Sequence, residues 1–183
     1  MSQQAETSDW EIRRERAEDG PGIAALTEAG FGPGRYAKSA YRLREGVDAV
    51  ADLGFVAVEN ETLRGSVRFW PIKVGTNDVL LLGPLAVERA ERGRGIGISL
   101  MQAGIAAARD AGWRAILLVG DAPYYSRVGF VTLASGQVRF PGPVDSNRLL
   151  GLALTDNALD KLSGSIRRAR IDAPVCADGA PLG

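Results

Sequence analysis

The segment from Val79 to Ala111 constrains the fold more than any other part of the chain. An apolar run, Val79 to Val87, leads into Glu88-Arg89-Ala90-Glu91-Arg92-Gly93-Arg94-Gly95-Ile96-Gly97 and then into an apolar-faced helix from about Ile96 to Ala111. Gly93, Gly95 and Gly97 alternate with larger residues, which lets the backbone turn tightly and approach a ligand closely. The amides of the first helical turn have no acceptor inside the helix, and they lie at the positive end of its dipole. Strand, glycine turn and helix in that order predict an α/β arrangement whose turn cradles phosphate or pyrophosphate. Arg92 and Arg94 add mobile cations beside it.

Spacing separates the phosphate-binding patterns. A dinucleotide fingerprint requires G-x-G-x-x-G; Gly93 and Gly95 fit, but position 98 is Ile. A P-loop requires Lys and then Ser or Thr after its last glycine; Gly97 is followed by Ile98 and Ser99. Arg92-x-x-Gly95-x-Gly97 does match R/Q-x-x-G-x-G/A, and on that motif the chain resembles the GNAT superfamily of acyl-CoA-dependent N-acyltransferases. Leu82-Gly83-Pro84-Leu85-Ala86-Val87 resembles that family's fourth strand, and Tyr125-Ser126-Arg127-Val128-Gly129-Phe130 its Y-x-x-x-G-F segment. Gly120-Asp121-Ala122-Pro123-Tyr124-Tyr125 with Gly129-Phe130 resembles the YhbS-like branch of predicted acetyltransferases. The resemblance runs roughly from Trp10 to Leu154. It implies a single-domain α/β fold with a mixed central sheet of about six or seven strands, flanked by helices and splayed between strands four and five. It also implies an N-acetyltransferase that takes acetyl-CoA as co-substrate.

Composition narrows the chemistry. The chain has 183 residues, enough for one domain with a sizeable core. With 22 basic and 22 acidic residues the formal net charge is +0, so no strong field holds nucleic acid or an anionic membrane. The longest apolar run, interrupted by Gly83-Pro84, is too short to span a bilayer. The polar Met1 to Asp9 reads as a flexible N-terminus without a signal segment. Cys176 has no partner in the chain, which fits a reducing cytoplasm. There is no histidine, which removes histidine metal sites, histidine triads and the usual general base. With one cysteine, neither a zinc site nor any other metal is expected. Catalysis is left to tyrosine, serine, carboxylates, backbone amides and water.

Along the chain, Glu11 to Arg16 predicts a first strand, and Asp19-Gly20-Pro21 opens a helix ending near Gly30. A second helix is expected over about Tyr36 to Leu53, interrupted near Gly46. Phe55 to Glu59 and Ser66 to Ile72 read as a hairpin joined at Asn60-Glu61-Thr62. Short strands follow at Ala115 to Val119, Phe130 to Leu133 and Arg148 to Leu154, and Thr155-Asp156 caps a short helix to about Ser163. The N-acetyltransferase domain is read as residues 10–163, with 164–183 a loosely packed tail.

Proline cannot donate to a strand ladder, so Gly83-Pro84 predicts a bulge that parts this strand from Ala115 to Val119. Backbone groups in the gap suit an extended amide ligand. The resemblance places the pantetheine arm of coenzyme A there, on Leu85, Ala86 and Val87. It places the pyrophosphate on Arg92, Gly93, Arg94, Gly95, Ile96 and Gly97, chiefly through their amides. Tyr125 stands four residues before Gly129, where the family carries its tyrosine. A phenol with a pKa near ~10 stays protonated at neutral pH and can donate to a departing thiolate; tying its loop to the sheet is the other role open to Tyr125. No carboxylate lies in Val79 to Val87. The base is therefore sought at Asp121, which equally suits capping of the next turn, or at Glu59 through water. Arg35, Tyr41, Arg42, Arg44 and Glu45 crowd the second helix; Arg42 and Glu45 are the candidates for acceptor binding, against a plain solvated face.

The expected function is acetyl transfer from acetyl-CoA to a primary amine, on a small molecule or a protein, by direct attack in a ternary complex. An acyl-CoA-binding sensor without turnover and a transferase of longer acyl chains share these features. Pairing into a homodimer is left open.

Overall fold

Alternation along the two central strands divides the core into two layers. The computed structural model describes residues 10–32 and 39–169. In it Leu80, Leu82, Ile116 and Leu118 join one apolar cluster, and Val79, Leu81, Ala115 and Leu117 the other. These residues belong to β4 (Asn77–Val87) and β5 (Ala115–Val119), whose apolar stretches Val79 to Leu82 and Ala115 to Leu118 follow from burial on both faces. β4 and β5 pair in parallel at Leu80–Ile116 and Leu81–Leu117. On the β4 side β1 (Glu11–Arg14), β2 (Phe55–Glu59) and β3 (Thr62–Val74) add antiparallel partners. On the β5 side come β8 (Leu149–Ala153) and β6 (Val131–Thr132), giving the order β1-β2-β3-β4-β5-β8-β6. The turn between β2 and β3 places Asn60 and Glu61 at positive φ, as a tight hairpin requires. The mixed sheet expected from the sequence is thus present, with two further short strands. β7 (Val138–Arg139) pairs in parallel with β9 (Gly164–Arg168), which also lies antiparallel to β3.

α1 (Gly20–Phe31) opens with proline in its first turn, as read from the sequence. The Asp19 carboxylate does not cap it; Arg13 holds that group at 2.7 and 2.9 Å and the Arg16 amide at 2.7 Å. α3 (Ile96–Asp110) lies on the first cluster through Ile96, Leu100, Met101, Ile105 and Ala108. Gly104 permits this close seat, since a Cβ there would overlap the ring of the fully buried Phe69.

Two expectations are corrected. The helix expected over Tyr36 to Leu53 is reduced to α2 (Ser39–Arg42), a turn with Gly46 at φ +71, extended backbone, and a 3-10 turn at Ala51–Leu53. The interruption expected near Gly46 is present as a left-handed turn, and the Val50 amide bonds to the Phe69 carbonyl at 2.9 Å, fastening the extended stretch to the sheet. In the C-terminal part, residues 155–163 form turns in place of a helix, pinned by the buried Ala158 and Leu162. β9 then lies within the part read as loose tail, its Ile166 buried in the second cluster. Met1 to Asp9, Arg35, Tyr36 and Cys176 lie outside the described residues. Among those described, no helix is long and apolar enough to cross a membrane.

Candidate active site

β4 and β5 part company after two paired residues. Pairing stops at Leu81–Leu117, although both strands continue. On the other edge of β4, Val67 faces Leu85 and Phe69 faces Leu82, so Gly83 and Pro84 together oppose Arg68. This is the bulge expected from Gly83-Pro84, and it needs Gly83 at φ +127. Trp70 Nε1 donates to the Gly83 carbonyl at 2.6 Å and fixes the bulge against β3. Beyond Leu81 the β4 edge facing β5 has no strand partner, and its backbone groups require one.

The glycine turn is built as its spacing predicts. Gly93 and Gly95 have φ +87 and +92, and Gly95 precedes α3 as a cap without a side-chain hydrogen bond. No acidic residue occupies the first turn of α3, so its forward-pointing amides stay open. A cavity of about 320 Å³ lies in front of them, lined by Leu85, Ala86, Val87, Arg92, Gly93, Gly95, Ile96 and Gly97, with Arg127 at its edge. Arg92 is exposed and makes no ion pair among the described residues. Arg127 escaped the sequence reading, although it stands inside the Y-x-x-x-G-F segment.

Arg94 departs from expectation. Its guanidinium turns back into the fold, bonding Glu59 at 2.9 Å and pairing with Glu91, and it lies 5.0 Å over the Trp10 ring. These carboxylates, Glu59 foremost, raise its pKa above the ordinary arginine value. Arg94 is therefore a clamp on the turn in place of a mobile cation, and it is absent from the cavity lining. Glu59 is occupied in the same way. Arg94 chiefly, with Arg64 at 3.2 Å, holds its carboxyl below the ordinary range, which makes it a weaker base, and it lines neither cavity.

A larger cavity, of about 1170 Å³, joins the first through Phe31, Leu85, Arg92, Tyr124 and Tyr125, which line both. Tyr125 thus stands at the junction. Its ring packs edge-on to Tyr124 at 5.1 Å and Phe130 at 6.1 Å, and a Cβ on Gly120 would overlap it. Burial, with Tyr124 beside it, pushes the Tyr125 phenol up to about 12. Tyr124 lays its hydroxyl over Gly97 in the first turn of α3, which explains why no side chain fits there.

The larger cavity also collects the acceptor-side candidates, with one exception. Asp121 lines it with its side chain 82% exposed, 3.9 Å from Arg148. Its carbonyl, not its carboxylate, accepts the Tyr124 and Tyr125 amides, so the side chain is not spent on capping. Glu45 lines the cavity and is exposed. Arg42 is exposed and falls outside the lining. Arg44 and Trp70 take the place foreseen for it. Arg44 was among the charged residues noted in this segment, but nothing in the sequence singled it out over Arg42.

Comparison with known proteins places the chain in a family. Residues 21–130 match the model of the Acetyltransferase (GNAT) family. The chain is similar to an uncharacterized N-acetyltransferase YhbS of Escherichia coli K12, 34% identical over 158 residues that cover 85% of this chain and 93% of the relative. Among solved structures it is similar to Escherichia coli YhbS in complex with CoA, at 32% identity and TM-score 0.75, over 87% of this chain and 89% of that one. It is also similar to a GNAT family acetyltransferase from Brucella melitensis in complex with acetyl-CoA, at 34% identity and TM-score 0.58, over 74% and 93% of the two chains.

Proposed function

The chain belongs to the Acetyltransferase (GNAT) family, and from that premise we propose that it moves an acetyl group from acetyl-CoA to a primary amine by direct attack in a ternary complex. The observation that carries this reading is the junction of two cavities at Leu85, Arg92, Tyr124 and Tyr125. One cavity has open helix amides and an unpaired strand edge; the other has ionisable side chains. A donor and an acceptor can thus be held at once, with Tyr125 between them.

The residues fit the donor. The first-turn amides of α3, with Arg92 and Arg127, hold the pyrophosphate. The free β4 edge at Leu85 to Val87 receives the amides of the pantetheine arm, and one of its N–H groups polarises the thioester carbonyl. Acetyl-CoA supplies the activated acetyl group. Tyr125, a phenol held at about 12, keeps its proton across the neutral range and donates it to the departing thiolate. Asp121, exposed at the cavity wall, takes the amine proton directly or through water. No acyl-enzyme is involved in this reading.

Titration calorimetry with acetyl-CoA, against ATP and NADH as controls, tests the donor. An amine screen with wild type beside Tyr125→Phe tests the chemistry. The expected result is selective binding of acetyl-CoA and a fall in kcat of about 10²–10⁴-fold in the variant with donor affinity retained. Binding without turnover on any amine converts the reading to an acyl-CoA-binding module. Tighter binding of longer acyl-CoAs converts it to a transferase of longer chains.

A further inference from the structure

Arg44 is a cation without an anion. It stands in the turn after α2, anchored by its neighbour Leu43, which is 2% exposed in the core. Its guanidinium carbon lies 6.0 Å from the centre of the Trp70 ring. Its Nη2 presses on the bulge, 2.8 Å from where a Cβ on Gly83 would stand. Its Nε is shut off from solvent and has no hydrogen-bond partner. No carboxylate among the described residues pairs with it. Glu15 is taken by Arg68, Asp121 leans toward Arg148, and Asp145 accepts the Asn147 amide at 2.9 Å. Desolvation pulls Arg44 down to about 10, and the only groups opposing that fall are the phenols of Tyr125 and Tyr41.

A desolvated, unpaired guanidinium is unfavourable, and a fold tolerates it where a ligand brings the anion. Arg44 lines the larger cavity, on the acceptor side of the junction, and its field reaches Tyr125. The other arginines of that wall differ: Arg68 is tied to Glu15, while Arg92 and Arg148 are exposed. A single planar guanidinium suits the two oxygens of a carboxylate. The acidic side chains of the same cavity, Glu45, Asp121 and Asp145, suit an ammonium group beside it.

We propose that Arg44 binds the carboxylate of the acceptor, and that the acceptor is a small amino acid-type molecule carrying its amine close to a free carboxylate. This rests on the acetyl-transfer reading. Polyamines, protein N-termini and protein lysines lack that carboxylate and are excluded by it.

The experiment compares free amino acids with their carboxamides as acceptors, for wild type, Arg44→Met and Arg44→Lys. In parallel, N-acetyl amino acids and their carboxamides are titrated into the protein with and without CoA. The expected result is a preference for at least one acid over its amide of about tenfold or more, a hydrogen-bonded charge pair being the difference between them. Arg44→Met brings that ratio close to one, Arg44→Lys restores part of it, and acetyl-CoA affinity stays as in wild type. Equal use of acids and amides by wild type overturns the proposal, whatever the variants do. So does an Arg44→Met protein, folded by circular dichroism, that keeps the preference. Failure to bind acetyl-CoA removes the transfer reading instead; a preference for N-acetyl acids over their amides in that case keeps the anion site and assigns it to another reaction.

Discussion

Arg94 and Arg44 both lie over a tryptophan ring, at 5.0 and 6.0 Å, yet one is finished by the fold and the other is not. Arg94 sits in the motif that identifies the chain and spends its charge inward, on Glu59 and Glu91. Arg44 sits in a segment with no motif and meets no carboxylate among the described residues. Arg92 of the same motif stays exposed at the donor cavity, so a place in the signature does not by itself decide whether a cation is spent on the fold or left for a ligand. The glycine turn must be rigid to present amides, so its nearby side chain is used for bracing. The acceptor wall must answer to a particular molecule, so its charge is left open.

Exchange of each arginine breaks or sharpens that contrast most strongly. Arg44→Met is expected to raise the acceptor KM by at least about tenfold, in keeping with loss of a charge-assisted pair, while the melting temperature holds or rises as a desolvated charge leaves. Arg94→Met is expected to do the reverse, lowering the melting temperature by leaving Glu59 and Glu91 without their shared partner, with acceptor KM unchanged. Steady-state kinetics and thermal denaturation on the two proteins decide it; the same pattern in both would erase the distinction.

Two glycines of α3 carry the contrast to finer scale. Gly97 lies beneath the Tyr124 hydroxyl and Gly104 beneath the Phe69 ring. Gly97→Ala is expected to displace Tyr124 into the donor cavity and weaken acetyl-CoA binding by about tenfold, roughly the loss of one good hydrogen bond to a charged group, with little change in melting temperature. Gly104→Ala overpacks the core and is expected to destabilise the fold by about 1–3 kcal/mol, several degrees in melting temperature for a chain of this size, with donor affinity intact. Calorimetry and thermal melts on both variants separate the roles.

The two regions were unequally legible in the sequence. The donor side is made of continuous pieces, Leu82 to Gly97 and Gly120 to Phe130. Their glycines and proline have conformational requirements that spacing reveals: a bulge at Gly83-Pro84, left-handed turns at Gly93 and Gly95. Which arginine of Arg92-x-Arg94 turns inward was not legible, because the deciding Glu59 is 35 residues away from Arg94 in the chain. The acceptor side is assembled from α1, the turn after α2, and β3 with β4. The helix expected over about Tyr36 to Leu53, interrupted near Gly46, does not resume after that glycine, and only the tertiary bond from Val50 to Phe69 shows why the chain runs extended there. β9 was missed because five residues with one buried position, Ile166, leave too little alternation to recognise.

The smallest effect expected is in the pH dependence of the bracing cluster. Glu59 is held below its ordinary value of 4.5, first by its hydrogen bond to Arg94. A carboxyl depressed by folding contributes stability that is fully present above its unfolded pKa and is lost as pH falls through its folded one. Glu59→Gln removes that contribution at the outset. The gap in melting temperature between wild type and Glu59→Gln is therefore expected to be level above about pH 5 and to close as the solution is acidified further. The cluster is only partly shielded from water, so salt should narrow the gap at neutral pH as well. Arg44→Met, which touches no depressed carboxyl, should show no such acid limb. A Glu59→Gln gap that persists undiminished in acid would mean that the side chain matters for its shape and hydrogen bonds, and that the turn is braced by packing on Trp10 more than by charge.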